Sequence, residues 1–281
     1  MKPGHLTHRD LVALRDGGVE LSMDASAWVA VEASAKLVHD VSEGDERVYG
    51  INTGFGSLAK TSIARDRLRD LQRRIVLSHA AGVGEPLADP IVRLTLALKI
   101  NALAQGFSGC RRIVIERLLA LYNADALPVV PSKGSVGASG DLAPLAHLST
   151  ALMGVGEIRL AGETMPAAEG LSCIGLEPLE LDAKEGLALL NGTQVSTALA
   201  LDGFIRAGDN FAAAMVSGAM SVDASLGADT PFDARISDVR GQPGQIAAAK
   251  VYRDLLEGSD IRKSHEDCDR VQDPYSLRCQ P

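Results

Sequence analysis

The stretch Ala183–Leu226, AKEGLALLNGTQVSTALALDGFIRAGDNFAAAMVSGAMSVDASL, contains no proline and places apolar residues at i, i+3 and i+4 over most of its length. That period belongs to a helix. A continuous helix over the whole run would reach roughly 60 Å at about 1.5 Å per residue. One small domain cannot support such a length. The stretch therefore predicts part of a helical bundle shared between subunits. Its many Ala, Ser and Gly residues permit close approach of neighbouring helices. Asn191, inside the run, is a poor helix former. Its amide serves either an interhelical hydrogen bond or a ligand.

Upstream, Thr7 is placed to cap a short helix that stops at Gly17-Gly18. Val19–Met23, VELSM, alternates like a brief strand. Asp24 opens a longer helix through Val41, and further helices are expected over 63–80, 89–105 and 111–123. LPVVPSKGSVGASG, from Leu127 to Gly140, reads as loop because Pro128 and Pro131 block a helix. Asp141 then caps a new helix with Pro144 in its first turn. EIRLAGETM, from Glu157, is the best hairpin candidate. The expected fold is mainly α with a few short strands. Residues 1–182 form an N-terminal domain, and residues 183–281 begin the long-helix bundle.

The composition agrees. Of 281 residues 46% are hydrophobic and only 4% aromatic, which suits packed helices. The net charge of −8, with no cluster of Lys and Arg, argues against a nucleic-acid surface. The N-terminus lacks the apolar core of a signal peptide, and no window is long enough for a membrane span. Cys110, Cys173, Cys268 and Cys279 are scattered and form no C-x-x-C pair. They read as reduced cytosolic thiols, not a disulfide frame or a metal site. A cytoplasmic location is expected.

The chemistry concentrates in GSVGASGDLAPLAHL, Gly134–Leu148. Lys133 precedes the glycines here, whereas a phosphate-binding loop has its lysine after them. A dinucleotide fingerprint is absent. A nucleophile elbow would need a glycine where Asp141 stands. Two readings stay open from the pattern alone: a flexible helix entry, or a segment whose small residues let the backbone fold on itself. In the second, the Gly140 nitrogen bonds the Ala138 carbonyl carbon. Loss of water there and from Ser139 leaves a conjugated alkene, an electrophile made from the chain. The positive end of the following helix would polarise it.

This segment resembles the cofactor-forming triplet of the aromatic amino acid ammonia-lyases, which becomes 4-methylideneimidazol-5-one (MIO). YGINTGFG, Tyr49–Gly56, resembles that family's tyrosine loop. LLNGTQ, Leu189–Gln194, resembles its asparagine segment, and QDPYSLRCQP, Gln272–Pro281, its substrate-carboxylate segment. FSG at Phe107–Gly109 and PFDAR at Pro231–Arg235 also fit. The likeness runs the length of the chain in the family's order. Ser78-His79, just before AAGVG, resembles the histidine-type members, in which this histidine meets a substrate imidazole.

The resemblance implies non-oxidative elimination of ammonia from L-histidine to give trans-urocanate, the first step of histidine degradation, with MIO formed from Ala138, Ser139 and Gly140 and no metal. It implies Tyr49 as the base that removes the β-proton, on a glycine-flanked loop able to act as a lid. Tyr275 assists the chemistry. Arg278 takes the substrate carboxylate with its paired donors. Gln272, Asn191 and His79 bind substrate. His147, on the helix after the triplet, is a core or supporting histidine. Whether amine or imidazole attacks MIO stays open. Members of the family are about twice as long and form homotetramers whose active sites draw on three subunits, so further helices and a site glutamate would follow Pro281. Rival readings are a tyrosine- or phenylalanine-type lyase or aminomutase, an inert helical fragment, and a serine hydrolase using Ser139.

Overall fold

A computed structural model describes residues 2–44, 46–54 and 63–280. The chain is mainly helical and divides into two compact units, residues 1–202 and 203–281. The division lies downstream of the 182/183 boundary expected from sequence.

The first unit is built around α4 (Asp89–Leu103), preceded by α1 (His8–Asp16), α2 (Ala27–Glu43) and α3 (Leu68–His79) and followed by α5 (Arg112–Asn123) and α6 (Leu142–Leu152). A helix apolar on nearly every side belongs inside a core. α4 is such a helix: Val92, Leu94, Leu96, Ala97, Ile100 and Leu103 are all buried. Ile115, Leu118 and Leu121 of α5 and Leu145 and Leu148 of α6 complete the same cluster. Thr7 caps α1 in a reciprocal box: its Oγ1 accepts from the Asp10 amide, and the Asp10 carboxylate accepts from the Thr7 amide at 2.8 Å.

Val19–Met23 is not a strand. The Leu21 amide donates to Asn123 Oδ1 at 2.8 Å, and Asn123 Nδ2 donates to the Leu21 carbonyl at 3.0 Å. A side-chain amide thus takes the place of a partner strand. The proline-rich segment expected as loop contains two short strands. β1 (Val83–Pro86) pairs antiparallel with β3 (Pro131–Lys133), and β2 (Leu127–Pro128) pairs with β4 (Glu157–Leu160). The expected hairpin is present as β4 and β5 (Glu163–Pro166). α7 (Ala167–Cys173) follows it.

The long helix expected from Ala183 onward is interrupted. α8 (Glu185–Leu190) ends at Asn191, whose extended backbone (φ −81°, ψ 129°) turns the chain. α9 (Gln194–Ala224) then begins afresh and runs across the boundary between the units. Asn191 therefore lies between helices and is exposed, not buried within one. α8 is anchored by Glu185, 1% exposed. Its carboxylate accepts from Arg111 Nε at 2.8 Å and Nη2 at 2.7 Å, from the Arg111 amide at 2.9 Å, and from the Asp182 amide at 2.7 Å. Pairing with Glu185 raises the Arg111 guanidinium above its ordinary value.

The second unit holds the rest of α9, α10 (Ala234–Arg240), α11 (Pro243–Leu256), α12 (Asp260–Lys263) and α13 (Tyr275–Arg278). Its small core joins Met215, Ala219 and Val222 of α9 to Phe232, Tyr252 and Leu256. The rings of Phe232 and Tyr252 stack at 4.6 Å between centroids. Among the described residues no helix is long and apolar enough to cross a membrane.

Candidate active site

The triplet Ala138-Ser139-Gly140 stands at the entrance to α6. Gly134 through Ser139 are exposed, and Gly140 is buried. Gly140 has φ +126°, a conformation that side-chain-bearing residues rarely adopt. A Cβ there would lie 2.6 Å from the Gly192 carbonyl oxygen and 3.0 Å from the Gly192 nitrogen. The backbone of the triplet thus closes directly on the bend between α8 and α9. The Asp141 amide donates to the same Gly192 carbonyl at 2.8 Å.

Asp141 does not cap its own helix through its side chain. Its carboxylate, on a residue 2% exposed, crosses to the first turn of α9. There it accepts from the Ser196 amide at 2.7 Å and the Ser196 hydroxyl at 2.8 Å, and it also accepts from Ser135 Oγ at 2.8 Å. A charged acceptor at a helix N-terminus is favourable in both charge and hydrogen bonding. The helix it serves is simply not the adjacent one. α6, the triplet and α9 are joined through this single residue.

Lys99 approaches the bend from the core side. It is 1% exposed, and its Nζ donates to the Asn191 carbonyl at 2.9 Å. Burial pushes its ammonium down to about 7.

His79 ends α3. Its Nδ1 lies 2.8 Å from the Ile75 carbonyl, which can only accept, so Nδ1 carries the hydrogen and Nε2 of the neutral ring is left as the acceptor. The segment after His79 is fastened to α6 by His147. The Gly82 amide donates to His147 Nε2 at 3.0 Å. Burial lowers the His147 pKa and so favours the neutral ring that can accept this bond. A Cβ on Gly134 would lie 3.0 Å from Gly82 Cα, so the triplet's loop and the His79 segment run in contact.

Tyr49 is 56% exposed on a turn. Asn52 holds that turn: its Oδ1 accepts from the Val48 amide at 2.8 Å, and its Nδ2 donates to the Glu46 carbonyl at 2.8 Å. The Ile63 amide donates to the Asn52 carbonyl at 3.0 Å, so the turn is also tied to Ile63. Phe55 and Gly56 of the tyrosine segment lie outside the described residues.

The first unit therefore gathers the triplet, the Asn191 bend and the His79 segment. Gln272, Tyr275 and Arg278 belong to the second unit. Asp273 ties their segment down: it accepts from the Ala228 amide at 2.6 Å and from Arg270 Nη1 at 2.8 Å. These donors hold its carboxyl below the usual range. Gln272 is exposed and Tyr275 is 72% exposed at the start of α13. Tyr275, Arg278 and Gln280 line a cavity of about 460 Å³ with Phe232 and Ile236. Sequence reading missed Lys99, Asn52 and the cross-helix role of Asp141. The signal for Lys99 was a lone cation in the apolar run LTLALKINAL, Leu94–Leu103.

The first unit is thus helical and folds a small-residue triplet against an asparagine-glycine bend. The chain belongs to the aromatic amino acid lyases, whose family model matches residues 6–281. It is 57% identical over its full length to a protein named histidine ammonia-lyase from Burkholderia pseudomallei (strain 668), covering 55% of that protein. The crystal structure of histidine ammonia-lyase from Trypanosoma cruzi superposes with a TM-score of 0.86 at 35% identity, covering 98% of this chain and 51% of the other. Tyrosine aminomutase from Streptomyces globisporus gives a TM-score of 0.89 at 32% identity, covering 98% and 56%. The chain thus spans about half the length of the curated relatives it matches.

Proposed function

We propose that this chain carries the MIO-forming part of a histidine ammonia-lyase, which eliminates ammonia from L-histidine to give trans-urocanate. The observation that carries the reading is the closure of Gly140 on Gly192. Ring formation requires Gly at that position and small neighbours beside it, and the site has no room for a Cβ. Ala138, Ser139 and Gly140 fit the group they would become. MIO would supply an electrophile that takes up the substrate and eases departure of ammonia.

The other roles follow from the side chains. His79 presents Nε2 as an acceptor to the N–H of a substrate imidazole, because Nδ1 is occupied by the Ile75 carbonyl. Tyr49, on a turn held by Asn52, removes the β-proton. Arg278 binds the carboxylate with Gln272 beside it, Tyr275 assists, and Asn191 addresses the amine. The exposure of Tyr49, Ser139 and Asn191 fits a site completed by other subunits of a homotetramer. Such an enzyme would work in the cytoplasm. The Ser78-His79 pair and the 57% relative favour histidine over the tyrosine chemistry of the aminomutase.

Intact mass tests the proposal first: the mature triplet is lighter than its sequence by the mass of two waters, and Ser139→Ala is not. A urocanate absorbance assay then tests the substrate. Undiminished turnover in Ser139→Ala would remove the mechanism. Unchanged histidine kinetics in His79→Leu would remove the substrate assignment.

A further inference from the structure

Lys99 is the buried charged side chain of α4, 1% exposed, and the roles above leave it without a task. Burying a lysine is costly, and a position inside α4 facing Leu-rich neighbours would be better filled by Met or Leu on packing grounds alone. Its partner is a backbone carbonyl, not a carboxylate, so it does not serve to neutralise a charge.

What that carbonyl belongs to is decisive. Asn191 and Gly192 form the bend between α8 and α9. On one side of the bend Lys99 Nζ holds the Asn191 carbonyl at 2.9 Å. On the other, the Gly192 carbonyl accepts from the Asp141 amide at 2.8 Å, and the Gly192 backbone contacts Gly140. Two consecutive carbonyls are therefore fixed by donors from different helices. Without the inner one, the Asn191 carbonyl would lose its lysine donor, and the peptide would be freer to rotate. Rotation would move the Gly192 surface on which Gly140 rests. It would also re-aim the Asn191 side chain. Ammonium and amine both carry an N–H for the carbonyl, so the contact does not depend on the protonation state of Lys99.

We propose that Lys99 is a positioning residue that fixes the Asn191–Gly192 bend so that the Ala138–Ser139–Gly140 backbone is held in the shape from which its ring closes. The proposal rests on the ring-forming reading above. In the step it supports, the Gly140 nitrogen bonds the Ala138 carbonyl carbon. The Ala138 oxygen leaves as water with the amide hydrogens of Ser139 and Gly140. Ser139 then loses its Cα hydrogen and its hydroxyl as a second water. No oxidant or co-reactant is required.

The test uses the full chain and compares wild type with Lys99→Met and Lys99→Arg. Two readings are taken: amide hydrogen exchange at Asp141 and Ser196, and the rate of loss of two waters from the peptide containing Ser139. Lys99→Met is expected to keep the Trp28 fluorescence of the folded unit. Its Asp141 amide should exchange roughly tenfold faster, as loss of one hydrogen bond implies. Ring closure should slow by a similar factor, and Lys99→Arg, which retains a donor, should recover part of both. A merely structural lysine would lower overall stability and leave the relative exchange of Asp141 unchanged. Should Lys99→Met not fold, Lys99→Gln, polar but too short to reach the carbonyl, replaces it. Wild-type exchange and wild-type ring closure in the folded Met or Gln variant would overturn the proposal while leaving the function standing. A wild-type chain that never loses the two waters would instead overturn the function.

Discussion

Replacing Gly140 with alanine should destabilise the first unit by about 2–6 kcal/mol, and the figure can be built from two parts. Holding a residue with a side chain at φ +126° costs roughly 1–3 kcal/mol. The new Cβ would also stand 2.6 Å from the Gly192 carbonyl oxygen. That neighbour is backbone and cannot rotate aside, so the two segments must separate. Separation loses the Asp141–Gly192 hydrogen bond of 2.8 Å, and a buried amide left unpaired costs about 1–3 kcal/mol. Gly137 is the control. It has φ +68°, but a Cβ there would meet nothing within 4 Å, so Gly137→Ala should cost only about 1–2 kcal/mol. Urea titration followed by Trp28 fluorescence measures both. Trp28 is the sole tryptophan and lies in the first unit, with the Arg112 guanidinium 4.4 Å above its ring. Equal losses in the two variants would refute the reasoning, because the backbone contact would then contribute nothing.

Three further outcomes are expected. Glu185→Ala leaves Arg111 and two amides without their acceptor and should lower stability by about 3–5 kcal/mol in the same titration. His147 has a pKa lowered by burial, so the unfolded chain protonates first as pH falls below about 6.5. Stability should drop through that window at no more than about 1.4 kcal/mol per unit. His147→Gln, which keeps an acceptor for the Gly82 amide, should flatten that acid limb when urea midpoints are compared between acid and neutral pH. Lys99 sits at about 7 when folded, against about 10.4 in an unfolded chain. Between those values the unfolded chain binds the extra proton, so the Lys99 contribution makes stability rise with pH. Lys99→Met should remove that rise, and a variant with the wild-type slope would show that Lys99 is not its source.

Much of this architecture could be read from local signals. Thr7 and Asp10 lie at capping-box spacing, and their box is present. The helices from α3 to α6 were visible because apolar residues repeat with a helical period. The hairpin showed in a turn flanked by short β-prone segments. Failures occurred where distant groups decide the outcome. Val19–Met23 alternates as a strand should, but its Leu21 backbone finds Asn123, a side chain far along the chain. Asp141 has the identity and position of a helix cap, but Ser196 competes for its carboxylate and wins with two donors. The run from Ala183 is periodic over most of its length, and period alone cannot register that Asn191 adopts an extended conformation with its carbonyl held by Lys99 of α4. For the candidate site, the motifs supplied the residues proposed for it, whereas Lys99 required the fold, because a single cation in an apolar run says nothing about what lies opposite it.

The reach of Asp141 to Ser196 sets a schedule for biosynthesis. The two residues are separated by 55 positions, and Gly192 precedes Ser196 by a single turn. A nascent chain that has already delivered Ser139 from the ribosome still lacks the surface on which Gly140 closes. On the proposed function, the electrophile therefore cannot arise in a half-made chain, where it would be open to stray thiols and amines. It arises only once the start of α9 has docked, so that the dehydrated triplet doubles as a chemical record that the first unit has folded.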